Sequence, residues 1–302
     1  MGKPRLIAGI GDDCAIFHSS GASDLLLTTD FTLEGVHFRR EWHSPQSAGH
    51  RSLARGLSDI AAMGGEPALA FLSLALPRDL AQSWADGFLS GLLKLARQFG
   101  VSLAGGDTAQ SAAGVLADII VVGSVPKGKA VLRSGARPGD RIYVTGALGE
   151  SAAAVQWLDS KGGKLDRERF PRHFFPLPRV REAQRLVAGK IPSAMIDTSD
   201  GLSTDLGHIC RDSKVGAEIW SSAIPRAKLP RPRQAVALEL ALHGGEDYEL
   251  LFTARPGLRV PSLVRGVPIR CIGEITRQRK IVLVDESGGR SVLRPLGWEH
   301  FA

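Results

Sequence analysis

The chain has 302 residues, 43% of them hydrophobic and 23% charged, the composition of a globular protein long enough for one large domain or two of ordinary size. No apolar run approaches the ~18–20 residues of a membrane span, and the amino-terminal "MGKPRLIAG" has no apolar stretch of the kind a secretory signal needs, so no membrane partner is expected. The formal charge is +7, but the basic stretches from Pro225 to Gln234 and from Thr276 to Lys280 are short and lack interleaved aromatics, so they read as solvated loops and no nucleic-acid partner is expected.

In chain order, "LIAGIGDDCAIF" ends an apolar run in Gly9, Gly11, Asp12 and Asp13, a grammar that also suits a surface turn. The same pattern of apolar run, small residue and carboxylate returns in "DLLLTTDF", "VSLAGGDT", "SAMIDTSDG" and "HGGEDYELLFT". Its recurrence calls for a common explanation. "DLLLTTDF" predicts a strand. Ser44 as N-cap, Pro45 at the first turn and the Leu53, Leu57, Ile60, Ala61 face predict a helix stopped by Gly64 and Gly65. Pro67 to Pro77 is a further strand, followed by an amphipathic helix from Asp79 whose core stripe is Leu80, Trp84, Phe88, Gly91 and Leu95, closed by Gly100. "VSLAGG" and "LADIIVVGSVP" supply two more strands. Around Pro138, Gly139 and Asp140 the pattern restarts with the strand "RIYVTG" and a helix after Gly149. This places a domain boundary between 136 and 137, giving domains 1–136 and 137–302, each mixed α/β. In the second half "SAMIDTSDG" leads into the helix "LSTDLGHIC", and "HGGEDYELLFT", "VPIRCIGEIT" and "RKIVLVDE" are strand-bearing. Cys14, Cys210 and Cys271 are widely separated, with no C-x-x-C pair, which fits a reduced cytoplasmic compartment and no zinc site.

Several carboxylates are hard to assign to turns. Asp59 falls in the last turn of its helix, where the macrodipole disfavours it by up to ~1 kcal/mol, and well off the apolar stripe. It is either solvated or waiting for a cation. Asp107 follows "AGG" at an expected strand end, which would project its carboxylate at the sheet edge. Asp200 is placed as an N-cap or a ligand, whereas Asp197 lies outside the cap, and the helix start with Ser199 is suited to phosphate. Gathering Asp13, Asp30, Asp59, Asp107, Asp197 and Asp200 without cations would raise their pKa values by repulsion. An all-oxygen set, with Thr28 and Thr29 beside Asp30, favours Mg2+, which works with phosphates. No P-loop and no protein-kinase motif set occurs, so metals, backbone and a few basic side chains must hold the phosphates, with Arg133 the best candidate.

These segments, taken together as "GIGDD", "TTDFTLEGVHF", "LSDIAAMGG", "GGDT", "SGARPGDRIYVTG", "SDGL", "DLGHI", "GGEDYEL" and the terminal "GWEHF", resemble the thiamine-monophosphate kinase family over nearly the whole chain. That family shares a superfamily with aminoimidazole ribonucleotide synthetase and selenophosphate synthetase. The resemblance implies an N-terminal α/β domain that dimerises, a C-terminal α/β domain, and transfer of the ATP γ-phosphoryl group directly to the phosphate of thiamine monophosphate. It further implies Mg2+ at Asp13, Thr28, Thr29, Asp30, Asp59, Asp107, Asp197 and Asp200. ATP would meet Gly106, Asp107, Arg133 and Ser199, and thiamine monophosphate would meet His37, Glu246 and Trp298. No side chain is expected as a covalent nucleophile. Family members usually carry a helix before the first motif, where only eight residues precede Gly9 here, and usually have Asn where this chain has Gly56, so a hydrogen bond near the metals is expected to be lost or replaced by water. The alternatives are a relative that phosphorylates an amide or carbonyl oxygen, and a nucleotide-binding sensor without catalysis.

Overall fold

A computed structural model describes residues 5–160, 167–230 and 233–298. The first half contains β1 (Leu6–Ala8), β2 (Ala15–His18), β3 (Ser23–Leu33), α1 (Pro45–Ala62), β4 (Glu66–Pro77), α2 (Gln82–Phe99), β5 (Ser102–Ser111) and β6 (Leu116–Pro126). Its six strands form one sheet in the order β1-β2-β3-β6-β4-β5, antiparallel except for the parallel pair β4 and β5, which α2 connects. Along β3 the side chains alternate: Leu26, Thr28 and Thr32 are buried toward α1, and Leu25, Leu27 and Phe31 stand exposed on the opposite face.

α1 starts as its sequence predicts, with Pro45 in the first turn and the Ser44 hydroxyl accepting the Ser47 N–H at 3.2 Å. Gly64, at φ 72°, turns the chain away after it. Its burial, however, extends well beyond the single apolar face. The helix lies against β3 and β6 on one side and against α2 and a helix of the second half on another. Small residues allow this closeness. A Cβ on Gly49 would sit 1.9 Å from the Phe88 carbonyl oxygen, and one on Gly91 2.0 Å from that of Gln46. At Gly56 a Cβ would come within 2.6 Å of Val121 Cγ2 on β6. The glycine standing where Asn is usual is thus set by helix-to-sheet contact, and an Asn side chain would have no room toward β6.

The second half contains β7 (Arg141–Thr145), α3 (Glu150–Ser160), α4 (Pro171–Phe174), α5 (Val180–Ala188), β8 (Pro192–Asp197), α6 (Leu202–Ser213), β9 (Gly216–Trp220), β10 (Lys228–Pro230), β11 (Arg233–Ala235), α7 (Leu238–His243), β12 (Leu250–Ala254), β13 (Leu263–Val264), β14 (Val267–Thr276), β15 (Ile281–Val284) and β16 (Arg290–Val292). Its main sheet runs β16-β15-β9-β14-β7-β12-β8, with β13 paired to β14. The basic stretch from Pro225, expected as a loop, instead folds partly into the β10–β11 ribbon. Residues 231–232 of it lie outside the described set, as do 299–301 of "GWEHF". The architecture is mixed α/β in both halves. They share a core, because Val180, Ala183 and Leu186 of α5 and Leu250 and Phe252 of β12 belong to the same buried cluster as Leu53 and Leu57 of α1. Among the described residues no helix is long and apolar enough to cross a membrane, and the three cysteines are free.

Candidate active site

One cavity of about 690 Å³ opens where the two halves meet, and most of the carboxylates singled out in the sequence line it. Asp13 follows the first turn, Thr28 and Asp30 sit on β3, Asp59 on the last turn of α1, and Asp197 ends β8. One carboxylate oxygen from each of Asp13, Asp59 and Asp197 lies within 4.8 Å of the others. Thr28 donates its hydroxyl to Asp59, and Ser58 donates to Asp197 Oδ2 at 2.5 Å. Asp59 is therefore not a solvated helix-end residue, since it turns inward at the heart of the cluster.

Electrostatics here are unfavourable without cations. Burial, reinforced by Asp30, Asp197 and Asp13, pushes the Asp59 carboxyl well above its ordinary value. Burial and then Asp13 raise Asp197 to about 7, and burial raises Asp13 to about 6 against the pull of Arg133. Asp30 is raised as well, mainly by burial. Asp13 Oδ2 and Asp30 Oδ2 are buried with no hydrogen-bond partner. Crowded, partly orphaned carboxylate oxygens with the Thr28 hydroxyl among them form a donor set that suits hard divalent ions.

A second group adjoins this cluster along α1. Arg51, Arg55 and Asp59 recur at four-residue spacing on α1, which aligns them along one side of the helix. Arg51 Nη2 donates to Glu246 Oε2 at 2.5 Å, and Arg55 Nη1 approaches Glu246 Oε1 at 3.5 Å and the Tyr248 hydroxyl at 3.3 Å, while Arg55 Nη2 lies 3.5 Å from Asp30. Burial alone would raise the Glu246 carboxyl, but the Arg51 and Arg55 charges override it and hold it below its usual value. Glu246 and Tyr248 both adopt left-handed backbone, at φ 63° and 51°. Their loop is tied to the one after β8, with the Glu246 N–H bonded to Ser199 O at 2.8 Å and the Tyr248 N–H to Thr198 O at 3.0 Å. Arg51, Arg55, Ser58 and Tyr248 were not singled out in the sequence. The four-residue spacing that puts 51 and 55 on the same side of the helix as Asp59 was the signal for the arginines.

The remaining expected residues fall into place with two exceptions. Arg133 lines the cavity, donating from Nη2 to Asp13 Oδ1 at 2.6 Å and from its backbone N–H to Asp12 Oδ1 at 3.2 Å. His37, whose Nδ1 accepts the Leu33 N–H at 3.0 Å, also borders it, as do Ser199, Asp200 and Trp298. Trp298 is 53% exposed at the rim, its N–H bonded to Asp200 O at 3.1 Å. Asp200 is not the cap of α6, a position that Gly201 takes. Thr29 borders the cavity but sends its hydroxyl to Asp118 Oδ1 at 2.7 Å. Gly106 and Asp107 do not line the cavity of their own chain. They lie inside the edge strand β5 rather than at a strand end, and β6 and β4 separate them from β3, about 14 Å across three strand spacings. A Cβ on Gly106 would meet the Leu72 carbonyl oxygen at 1.8 Å, so that glycine serves close pairing with β4.

With this geometry the comparisons with known proteins agree. Residues 11–125 match the family described as AIR synthase related protein, N-terminal domain, and residues 137–286 match AIR synthase related protein, C-terminal domain. Thiamine-monophosphate kinase of Escherichia coli (strain K12) is 38% identical over 306 residues, covering 97% of this chain and 92% of that protein. The chain belongs to the thiamine-monophosphate kinase family. The family enzyme of Bacillus subtilis (strain 168) is 35% identical over 97% of this chain and 93% of its own length. A solved structure of "AaThiL complexed with AMPPCP and TMP" superposes with a TM-score of 0.85 at 31% identity, covering 97% of this chain and 92% of the other. The thiamine-monophosphate kinase of Stenotrophomonas maltophilia K279a gives 0.79 at 34% identity, with coverages of 92% and 91%. Hydrogenase maturation protein HypE, at 18% identity and a TM-score of 0.76, shares the fold.

Proposed function

We propose that this chain transfers the γ-phosphoryl group of ATP directly onto the phosphate of thiamine monophosphate, yielding thiamine diphosphate and ADP. The observation that carries this reading is the lining of one cavity by acidic side chains (Asp13, Asp30, Asp59, Asp197) together with Val36, Val155, Leu240 and Trp298. The first set suits phosphates bridged by cations and the second a flat organic cation. The relative solved with AMPPCP and TMP supports it.

Asp13, Thr28, Thr29, Asp30, Asp59, Asp197 and Asp200 would hold several Mg2+ ions, a role supported by the unpartnered buried oxygens of Asp13 and Asp30. Bound there, Mg2+ supplies positive charge that lets two anionic phosphates approach. Arg133, pivoting from Asp13, neutralises charge on the moving phosphoryl group, and the Ser199 loop presents phosphate-binding groups beside it. Nucleophilic attack comes from a phosphate oxygen of the substrate, so the chain contributes alignment and no covalent nucleophile. His37, Glu246 and Trp298 orient thiamine monophosphate. Glu246 is already charged and fixed by Arg51 and Arg55, ready to face a cationic ligand without rearranging.

Gly106 and Asp107 enter this scheme through a homodimer. The face of the first sheet away from α1 exposes Leu25, Leu27, Phe31 and Leu69, and Asp107 lies on that face by its register through Ser73 and Asp118 to Phe31. Burying that face against a second copy would bring Asp107 and Gly106 of one subunit toward the ATP and metals of the other. The chain acts in the cytoplasm as two functional units, 1–136 and 137–302, without nucleic acid or membrane. The deciding experiment measures ADP release and thiamine diphosphate by chromatography, with and without thiamine monophosphate. Stoichiometric ADP and thiamine diphosphate, dependent on Mg2+, is the expected result. ADP release indifferent to thiamine monophosphate overturns the proposal.

A further inference from the structure

Next to Asp200, which would hold Mg2+, stand two ligating side chains that the transfer reaction does not use. Asp205 and His208 stand three residues apart in α6 and share one of its faces. A carboxylate oxygen of Asp200, one of Asp205 and a ring nitrogen of His208 lie within 4.8 Å of one another. Asp205 is 1% exposed. Its Oδ2 accepts the Gly201 N–H at 3.0 Å, while its Oδ1 is buried without a partner, and His208 Nδ1 is buried without one too. Two residues of the same small group thus each carry a buried polar atom without a hydrogen-bond partner.

We propose that Asp205 and His208, sharing Asp200 with the Mg2+ ligands, bind a divalent cation of the borderline class, Mn2+, Co2+ or Zn2+, at a position of its own beside the Mg2+ ions. The nitrogen ligand carries the distinction. Mg2+ takes oxygen ligands in near-ideal octahedra and keeps its waters, whereas imidazole suits the later divalent metals. Two carboxylates and one imidazole leave room for water in the remaining positions. Arg133 and Arg211 stand near His208 and oppose a further positive charge, while Asp212 beside it and Asp13, Asp197 and Asp200 around Asp205 favour one. The ion would also fix the segment that carries the cavity rim, since Asp200 O holds the Trp298 N–H at 3.1 Å and Thr204 Oγ1 holds the Gly297 N–H at 3.2 Å.

The test uses the full chain stripped of metal with EDTA, in the absence of ATP and thiamine monophosphate, so that its outcome is independent of the kinase reading. Co2+ binding is followed by visible absorption in a large excess of Mg2+, and Mn2+ binding by pulsed electron paramagnetic resonance, which detects coupling to an imidazole nitrogen. The expected result is one Co2+ per chain that Mg2+ does not displace, nitrogen coupling in the Mn2+ form, and at least a roughly tenfold loss of Co2+ affinity in His208→Gln. Melting curves of metal-free His208→Gln establish that it is folded. Should it not fold, nitrogen coupling in the unmodified chain decides alone. Complete displacement of Co2+ by Mg2+, absence of nitrogen coupling, or a folded His208→Gln that binds Co2+ unchanged would overturn the proposal.

Discussion

Replacing Asp197 by Asn is expected to stabilise the metal-free protein while abolishing phosphoryl transfer. Asp197 is 2% exposed, and burial followed by the charge of Asp13 lifts its carboxyl from 3.8 to about 7. A folded pKa above the unfolded one means that the folded chain binds more protons, so stability falls as the pH rises from about 4 to about 7 and stays low above that. The shift of roughly three units, at about 1.4 kcal/mol each, sets a ceiling of about 4 kcal/mol at pH 8 and about 2 kcal/mol at pH 5.5. Asn retains an acceptor for the Ser58 hydroxyl but gives up the favourable charge near Arg133, so a gain of about 1–3 kcal/mol is expected. At about 2 °C per kcal/mol for a chain of this length, Tm in EDTA at pH 8 should rise by roughly 2–6 °C, and by about half that at pH 5.5. Because metal and protons compete for the same oxygens, Mg2+ should raise the Tm of the unmodified protein more at pH 8 than at pH 6, and that of Asp197→Asn less. An unchanged or lower Tm at pH 8, or a difference that widens toward acid, would refute the view that this carboxylate is held against repulsion.

Asp107→Asn and Asp59→Asn should each be inactive alone, yet mixing them as unfolded chains and refolding together should restore about a quarter of wild-type activity, because half the dimers then carry one intact site; no recovery, with both variants folded, removes Asp107 from the partner's site. Trp298→Ala should raise KM for thiamine monophosphate and leave that for ATP unchanged. With the indole 53% exposed, the effect belongs at the lower end of cation–π energies, about 0.5–1 kcal/mol or roughly two- to fivefold, and equal weakening of both substrates returns Trp298 to a packing role. Gly56→Asn should lower Tm through overpacking worth about 1–3 kcal/mol against Val121, and adding Val121→Ala should recover part of it; a variant as stable as the parent would show that α1 can shift off β6.

Much of this was legible because the carboxylates close apolar strands or follow glycines, and that local grammar survives in the fold at Asp13 and Asp197, while Asp30 lies inside β3, which runs on to Leu33. The α1 start was equally plain, since Ser44 and Pro45 act within one turn. What escaped depends on distant chain. Arg51 and Arg55 were not singled out because their partners Glu246 and Tyr248 lie almost two hundred positions later. Asp107 was misplaced for another reason. Gly105 and Gly106 resemble a strand terminus, but they permit β5 to lie tight along β4, and the strand continues to Ser111. Glycine reports a close approach without saying whether a ligand or a neighbouring backbone makes it.

The centre is assembled only when the two halves dock, and the charges enforce this. Ser58 with Asp197 and Arg51 with Glu246 join the two halves, and Arg133 with Asp13 links the far ends of the first. Arg133 partly offsets the repulsion around Asp13, and the arginine stripe of α1 does the same for Glu246 and Asp30. No guanidinium reaches Asp59 among the described hydrogen bonds and ion pairs, and burial, with Asp30, Asp197 and Asp13 around it, raises its carboxyl well above the ordinary value. Uncompensated negative charge thus remains at the α1 terminus, where β3, β8 and the first turn converge. A cation bound there relieves it and at the same time holds both halves to the same ion. Binding of metal and closure of the interface are thus coupled through one carboxylate, and a chain with Asp59 neutralised should lose that coupling even where it keeps its fold.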